Sequence, residues 1–153
     1  MSEIVIRPAR FGDPEVQALV AQALADLGER YGGSSGDDTP VAPGDFDPPT
    51  GGFFVAVDGA RLVGCAGWRT HGGDAELKRM YTAPAARGRG LARRMLGVIE
   101  ESARSAGRKR VILETGDQQP EAIALYESAG YERIEDFGFY KDYDGVLSYA
   151  RVL

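Results

Sequence analysis

Apolar residues along this chain switch between strand-like runs and helix-like spacing, and the switches mark out its elements. Glu3–Arg7 predicts a first strand around Ile4, Val5 and Ile6. Asp13-Pro14 then opens a helix, with Asp13 placed to cap it and Pro14 at its first position. Val16, Leu19, Val20, Ala23, Leu24 and Leu27 follow on one face, and Gly28 predicts the stop. Two strands, Phe53–Val57 and Arg61–Trp68, flank the hairpin signal Asp58-Gly59. His71-Gly72-Gly73-Asp74 predicts another turn, leading into the strand Ala75–Thr82 and completing an antiparallel meander. Leu91 to Ala106 has the spacing of a helix, with Leu91, Ala92, Met95, Leu96, Ile99 and Ala103 facing inward and Gly107 ending it.

The strand Val111–Thr115 follows that helix, which predicts a βαβ crossover. A further helix runs from Pro120 to Gly130, and the strands Tyr131–Ile134 and Val146–Leu153 close the chain around an aromatic-rich segment, Asp136–Tyr143. The expected fold is α/β, one mixed and mostly antiparallel sheet of about seven strands with helices on both faces, and residues 1–153 are expected to form one domain. Between Gly32 and Gly52 the pattern breaks. Those 21 residues hold six Gly, four Pro and four Asp and no Lys or Arg, which predicts either a mobile linker or a functional loop over a site.

Charge sharpens the picture. The net charge is −5, yet residues 78–110 hold ten Lys or Arg against two acids, a balance of +8 that leaves −13 elsewhere. Such a split suggests an anionic ligand at one place on an acidic body, or else a solvated basic helix face. Nucleic acid is not expected as a partner, because its phosphates would meet the acidic remainder. No run approaches the roughly 20 apolar residues of a membrane span, and the N-terminal residues lack the basic-then-apolar pattern of a secretory signal. Cys65 stands alone and has no disulfide partner within the chain. A cytoplasmic protein with no membrane partner is expected, and no metal.

The chemistry concentrates in Met80-Tyr81-Thr82-Ala83-Pro84-Ala85-Ala86-Arg87-Gly88-Arg89-Gly90-Leu91-Ala92, where a strand ends and a helix begins. Gly88 and Gly90 leave backbone N–H groups open to an anion, the helix N-terminus adds donors, and Arg87 and Arg89 supply charge-assisted hydrogen bonds. A Walker loop is excluded by the absence of Gly-Lys-Ser/Thr. A dinucleotide fingerprint is excluded by Arg93 at the third glycine's position and by the antiparallel meander upstream.

The stretch Arg87-Gly88-Arg89-Gly90-Leu91-Ala92 resembles the coenzyme A loop of GNAT acetyltransferases, Gln/Arg-x-x-Gly-x-Gly/Ala. The flanking pieces match as well: Ala75-Glu76-Leu77-Lys78-Arg79-Met80-Tyr81 before it, and Ala122-Ile123-Ala124-Leu125-Tyr126-Glu127-Ser128-Ala129-Gly130-Tyr131 after it. The resemblance covers essentially the whole chain and implies a GNAT fold and acetyl-CoA as cosubstrate. It further implies direct transfer to a primary amine in a ternary complex. The backbone of Met80, Tyr81 and Thr82 would bind pantetheine, and Arg87 to Ala92 the pyrophosphate. Tyr126 would be the general acid and Glu76 the general base, acting through a water. Gln119 occupies a position where many members carry Asn.

A phenol is protonated at neutral pH and can hydrogen-bond sulfur, which suits Tyr126 to its role. His71, the sole histidine, reads as a surface turn residue. The acceptor is expected to be a small-molecule amine, with Trp68, Phe137 and Tyr140 in its wall. The acidic loop (Asp37, Asp38, Asp45, Asp47) leans toward a cationic acceptor, and a peptide amine is the competitor. A silent acetyl-CoA sensor is the other alternative. Relatives suggest a homodimer, with Val146–Leu153 as the pairing edge.

Overall fold

The computed structural model describes residues 3–153. Seven strands form one sheet in the order β1-β2-β3-β4-β5-β7-β6: β1 (Ile4–Pro8), β2 (Gly51–Asp58), β3 (Arg61–His71), β4 (Asp74–Thr82), β5 (Arg110–Gly116), β6 (Glu132–Arg133) and β7 (Val146–Val152). Every neighbouring pair is antiparallel except β4 and β5, which are parallel. That single parallel pair follows from the crossover through α2 (Leu91–Ser105), since two parallel strands need a connection that returns the chain to the same end.

The helices divide between the two faces. α1 (Pro14–Arg30) buries Val16, Leu19 and Val20 against Phe46, Phe53, Val55 and Cys65. α2 and α3 (Pro120–Ser128) cover the opposite face, with Leu91, Met95, Leu96, Ile99 and Tyr126 packed on Val63, Trp68, Leu77, Val111 and Leu113. At roughly 1.5–3 kcal/mol per fully buried large apolar side chain, these two clusters provide the main force holding helices to sheet. Gly28 does not end α1: the helix runs on to Arg30, and the Gly28 carbonyl accepts the N–H groups of Tyr31, Gly33 and Ser34. Asp13 caps α1 through its backbone, whose carbonyl accepts the Gln17 N–H, rather than through its carboxylate.

β7 is not the free edge expected from the sequence. It pairs with β5 along its whole length and with β6 at Tyr149 and Ala150, so the outer strands are β1 and β6.

Two irregularities shape the interior. β4 bulges against β3 between the pairs Cys65↔Tyr81 and Gly67↔Lys78, and Arg79 there has φ 58°, a left-handed conformation that costs a non-glycine residue of order 1 kcal/mol. The bulge disturbs the alternation of β4. β4 and β5 then pair only at Ala75↔Val111 and Glu76↔Ile112, and beyond those residues they separate.

Residues 32–50, with their 3₁₀ turn Pro43–Phe46, fold down over the α1 face, while Gly51 and Gly52 already belong to β2. Phe46 is buried beside Phe11 and Phe53, with ring centroids 4.8 and 5.6 Å away. Arg69 of β3 reaches up to the Pro40 carbonyl (2.7 Å) and to Asp45 (3.5 Å). The stretch is therefore a loop tied over the sheet.

Candidate active site

A cleft of about 750 Å³ begins at the N-terminus of α2 and runs through the gap between β4 and β5. Its walls carry Leu77 through Thr82 from β4, Leu113 through Thr115 from β5, the Arg87–Arg93 turn except Arg89, and Gln119 and Tyr126 from the α3 region. Strand separation explains the opening. Where two parallel strands stop pairing, their facing backbone groups are left for a ligand.

At one end lies the glycine turn. Gly88 and Gly90 adopt φ 76° and 73°, and a Cβ on either would meet no protein atom within 4 Å, so the space beside them is open. Gly90 is the N-cap of α2 and has no side chain to fill the cap. The first intrahelical bond at this end runs from the Arg94 N–H to the Gly90 carbonyl (3.2 Å), which leaves the N–H groups of Leu91, Ala92 and Arg93 without an i−4 acceptor. Such an arrangement can hold an anion, with the helix dipole behind it.

Two details differ from the sequence reading. The Arg87 N–H is taken by the Pro84 carbonyl (3.3 Å), and the Arg89 guanidinium turns to Asp58 (3.7 Å) instead of lining the cleft. Arg93, unassigned from sequence, lines it instead. Arg87 does line the cleft, held by the Thr82 carbonyl (3.0 Å) and Asp26 (3.6 Å), with its guanidinium 5.9 Å from the Tyr81 ring centroid. Gln119 is the N-cap of α3, and its amide donates to the Tyr31 hydroxyl (3.3 Å).

Midway, Tyr126 projects from α3 toward the gap. It is 7% exposed, and its hydroxyl points at the Met80 sulfur, 3.9 Å away. Burial pushes its pKa up to about 12, so the phenol holds its proton throughout the neutral range.

The far end, on the α1 face, is charged. Lys78 and Arg79 both line the cleft there and share the carboxylate of Asp37 from the loop, with Lys78 Nζ 3.2 Å from Oδ2 and Arg79 Nη1 in direct contact. The other Asp37 oxygen accepts the Thr39 N–H (3.0 Å), the Thr39 hydroxyl (2.6 Å) and the Tyr140 hydroxyl (2.9 Å). Although burial opposes its charge, Lys78, Thr39 and Arg79 together hold the Asp37 carboxyl far below the usual carboxylate range. Tyr140 therefore braces the loop: its hydroxyl also accepts the Asp38 N–H (2.6 Å), and its own N–H donates to Glu114 (3.0 Å).

Four more residues read from the sequence do not line the cleft: Tyr140, which braces the loop as just described, and Glu76, Trp68 and Phe137. Glu76 is 2% exposed and does not line the cleft; its carboxylate accepts from Arg69 Nε at 2.9 Å, sealed beneath that guanidinium and the loop it holds. Trp68 is 1% exposed on the α2 face, with its indole N–H donating to the Ser102 hydroxyl (2.9 Å), so it is core and not acceptor wall. Phe137 packs edge-on against His71, centroids 5.3 Å apart, outside the cleft. Among the cleft residues not foreseen from the sequence are Arg93, Lys78, Arg79, Asp37 in its internal role, and Glu114. Glu114 carried a signal: it is the one charge inside the apolar strand Val111-Ile112-Leu113-Glu114-Thr115.

Among the described residues no helix is long and apolar enough to cross a membrane, and no group of three His, Cys, Asp or Glu stands ready to hold a metal ion.

A helix N-terminus open to solvent beside a splayed parallel strand pair defines a class: an α/β domain whose cleft runs from a helix start into the gap in its sheet. The chain belongs to the acetyltransferase (GNAT) family, whose model matches residues 20–131. It is similar to the IAA acetyltransferase of Azospirillum brasilense, 43% identical over 90 residues that span 58% of this chain and 59% of that protein. A Klebsiella pneumoniae structure assigned to the acyl-CoA N-acyltransferases superposes with a TM-score of 0.80 at 28% identity, covering 98% of this chain and 97% of the other. A GNAT acetyltransferase of Elizabethkingia anophelis, solved with acetyl-CoA bound, has a TM-score of 0.69 at 17% identity over 98% of both chains.

Proposed function

We propose that this protein transfers the acetyl group of acetyl-CoA directly to a primary amine of a small molecule. The observation that carries this reading is the continuity of one cleft from the open N-terminus of α2, past Tyr126, to the charged pocket under the loop. The pyrophosphate fits the free N–H groups of Leu91, Ala92 and Arg93 with Arg87 and Arg93 beside them, and pantetheine fits the β4 edge at Met80, Tyr81 and Thr82. The thioester then lies between β4 and β5, within reach of Tyr126, which protonates the departing thiolate. No covalent enzyme intermediate is needed, and the single thiol, Cys65, is buried with its pKa raised to about 12 by burial, which keeps it inert.

A small acceptor is favoured because the loop and the Tyr140 segment close over the far end, leaving a pocket rather than a long peptide groove. Asp37 is already paired with Lys78 and Arg79, so it lends the loop no spare negative charge for a cationic acceptor.

Thiol release from acetyl-CoA in the presence of an amine library tests the reading and identifies the acceptor. Turnover with at least one small amine is expected, and Tyr126→Phe is expected to lower kcat by about 100-fold with coenzyme affinity kept. Coenzyme binding without turnover across the library would replace the enzyme with a sensor.

A further inference from the structure

Lys78 and Arg79 are consecutive on β4, and regular alternation would send them to opposite faces of the sheet. The bulge against β3 cancels that alternation, and both side chains meet Asp37 at the far end of the cleft. Arg79 holds a φ of 58° there, a left-handed conformation that a non-glycine residue keeps only when its surroundings enforce it. The result is two cations at one point of the cleft, with side chains 7% and 6% exposed.

One carboxylate serves both. Asp37 Oδ2 lies 3.2 Å from Lys78 Nζ and in direct contact with Arg79 Nη1. The remaining partners are neutral: the Thr39 hydroxyl accepts from Lys78 at 3.0 Å, and the Thr39 carbonyl from Arg79 Nη2 at 3.5 Å. Arg79 Nε is buried with no hydrogen-bond partner among the described residues, and the Lys78 ammonium has a third N–H beyond its two contacts.

Glu114 does not supply the missing acceptor. Leu113 packs in the α2 face, so alternation turns Glu114 to the α1 face, where one oxygen accepts the Tyr140 N–H at 3.0 Å. The other lies against Gly138, 2.5 Å from where a Cβ there would stand. Asp26 and Glu121 stand with Arg87 and Arg30 near the glycine turn, and Glu76 is covered by Arg69. Two buried cations sharing one carboxylate leave a surplus positive charge, and a buried charge without a counterion is unfavourable.

We propose that the acceptor is an amine that also carries a carboxylate, an amino acid or a close relative of one, and that Lys78 and Arg79 hold this carboxylate. This rests on the acetyl-transfer reading above and names its substrate class. A surplus of one positive charge matches a carboxylate and would be overfilled by a phosphate dianion. Arg79 immediately precedes Met80, whose sulfur faces the Tyr126 hydroxyl at 3.9 Å, so the groups that hold the anion and the point of transfer are neighbours on one strand. That suits a compact molecule with its amine and carboxylate close together. The composition of the loop leans toward a cationic acceptor, but a polyamine would add positive charge to two cations already short of partners.

Matched acceptors test this on the unaltered protein. Each amino acid of the library is compared with its own methyl ester and primary amide, which keep the amine and lose the carboxylate. At least one free acid is expected to exceed its ester and amide by about 30-fold in kcat/KM, mainly through KM. The ester and amide amines are less basic and more often unprotonated at neutral pH, a bias that runs against this result. Lys78→Met and Arg79→Gln are then assayed with the same set. Each is expected to lower the acid-to-ester ratio about tenfold, whereas a purely structural side chain would lower both substrates in step and leave the ratio unmoved. Should a variant fail to fold, the wild-type comparison still decides the substrate class. Free acids acetylated no better than their esters and amides would overturn the proposal while acetyl transfer stands, as would a ratio that both variants preserve. Wild type that releases thiol to no amine, acid or otherwise, overturns the transfer reading itself, an outcome visible before any variant is made.

Discussion

Trp68 and Glu114 show how much a single side chain's facing decides. Both stand on central strands, and their roles follow from which side of the sheet they meet. Trp68 turns into the α2 face, where its indole N–H finds Ser102. Trp68→Ala is expected to cost about 3–5 kcal/mol in urea unfolding, since a large cavity opens in a close-packed cluster. Trp68→Phe keeps most of the apolar contact but strands the Ser102 hydroxyl, for a loss of about 1–2 kcal/mol. If Trp68 formed part of the acceptor wall, Trp68→Phe would also shift KM for the amine, and it is expected not to. The sequence revealed that Trp68 lies on a strand without revealing its side, because one residue of register reverses the facing of every side chain. Tyr126 was easier to read, being fixed by its helix and by the spacing to Gly130.

Among elements, the glycine turn was the most legible, since Gly88-x-Gly90 ahead of an amphipathic helix has a local physical meaning that needs no tertiary contact. The β4 bulge was not legible. Arg79 takes a left-handed conformation that no glycine announces, and Lys78 and Arg79 consequently both reach the same pocket. The loop 32–52 was seen as a compositional break, but its closure depends on Asp37, Asp45 and Phe46 meeting distant partners.

The two ends of α2 offer a comparison within one element. Gly90 and Gly107 have φ 73° and 79°, and an added Cβ meets nothing within 4 Å at either. Alanine at each should therefore destabilise the fold similarly, by about 1–2 kcal/mol. Only Gly90→Ala should also weaken coenzyme binding, by about tenfold in calorimetric titration, because its methyl enters the space an incoming phosphate needs. Equal coenzyme affinity in the two variants would remove the turn from the binding site.

For the whole molecule, the two acids of the far pocket predict opposite responses to pH. The folded Asp37 pKa lies far below the unfolded carboxylate value near 4. Its contribution is therefore fully present above about pH 5 and fades as pH falls below that toward the folded value. Glu114 has a raised folded pKa, so its linkage is most favourable below the unfolded value near 4 and declines as pH rises past it. Glu121 is lowered by Arg30, yet its side chain is 61% exposed and the pair adds little. Acid destabilisation of wild type should accordingly come from the proton that Asp37 takes up on unfolding, when it leaves Lys78, Arg79, Thr39 and Tyr140 and the loop comes free. Asp37→Asn is expected to be less stable than wild type at pH 7, and the gap should close steadily as pH drops from 5 to 2 in chemical denaturation. A gap that stays constant over that range would mean that Asp37 holds the loop through its hydrogen bonds alone, with its charge irrelevant to the fold.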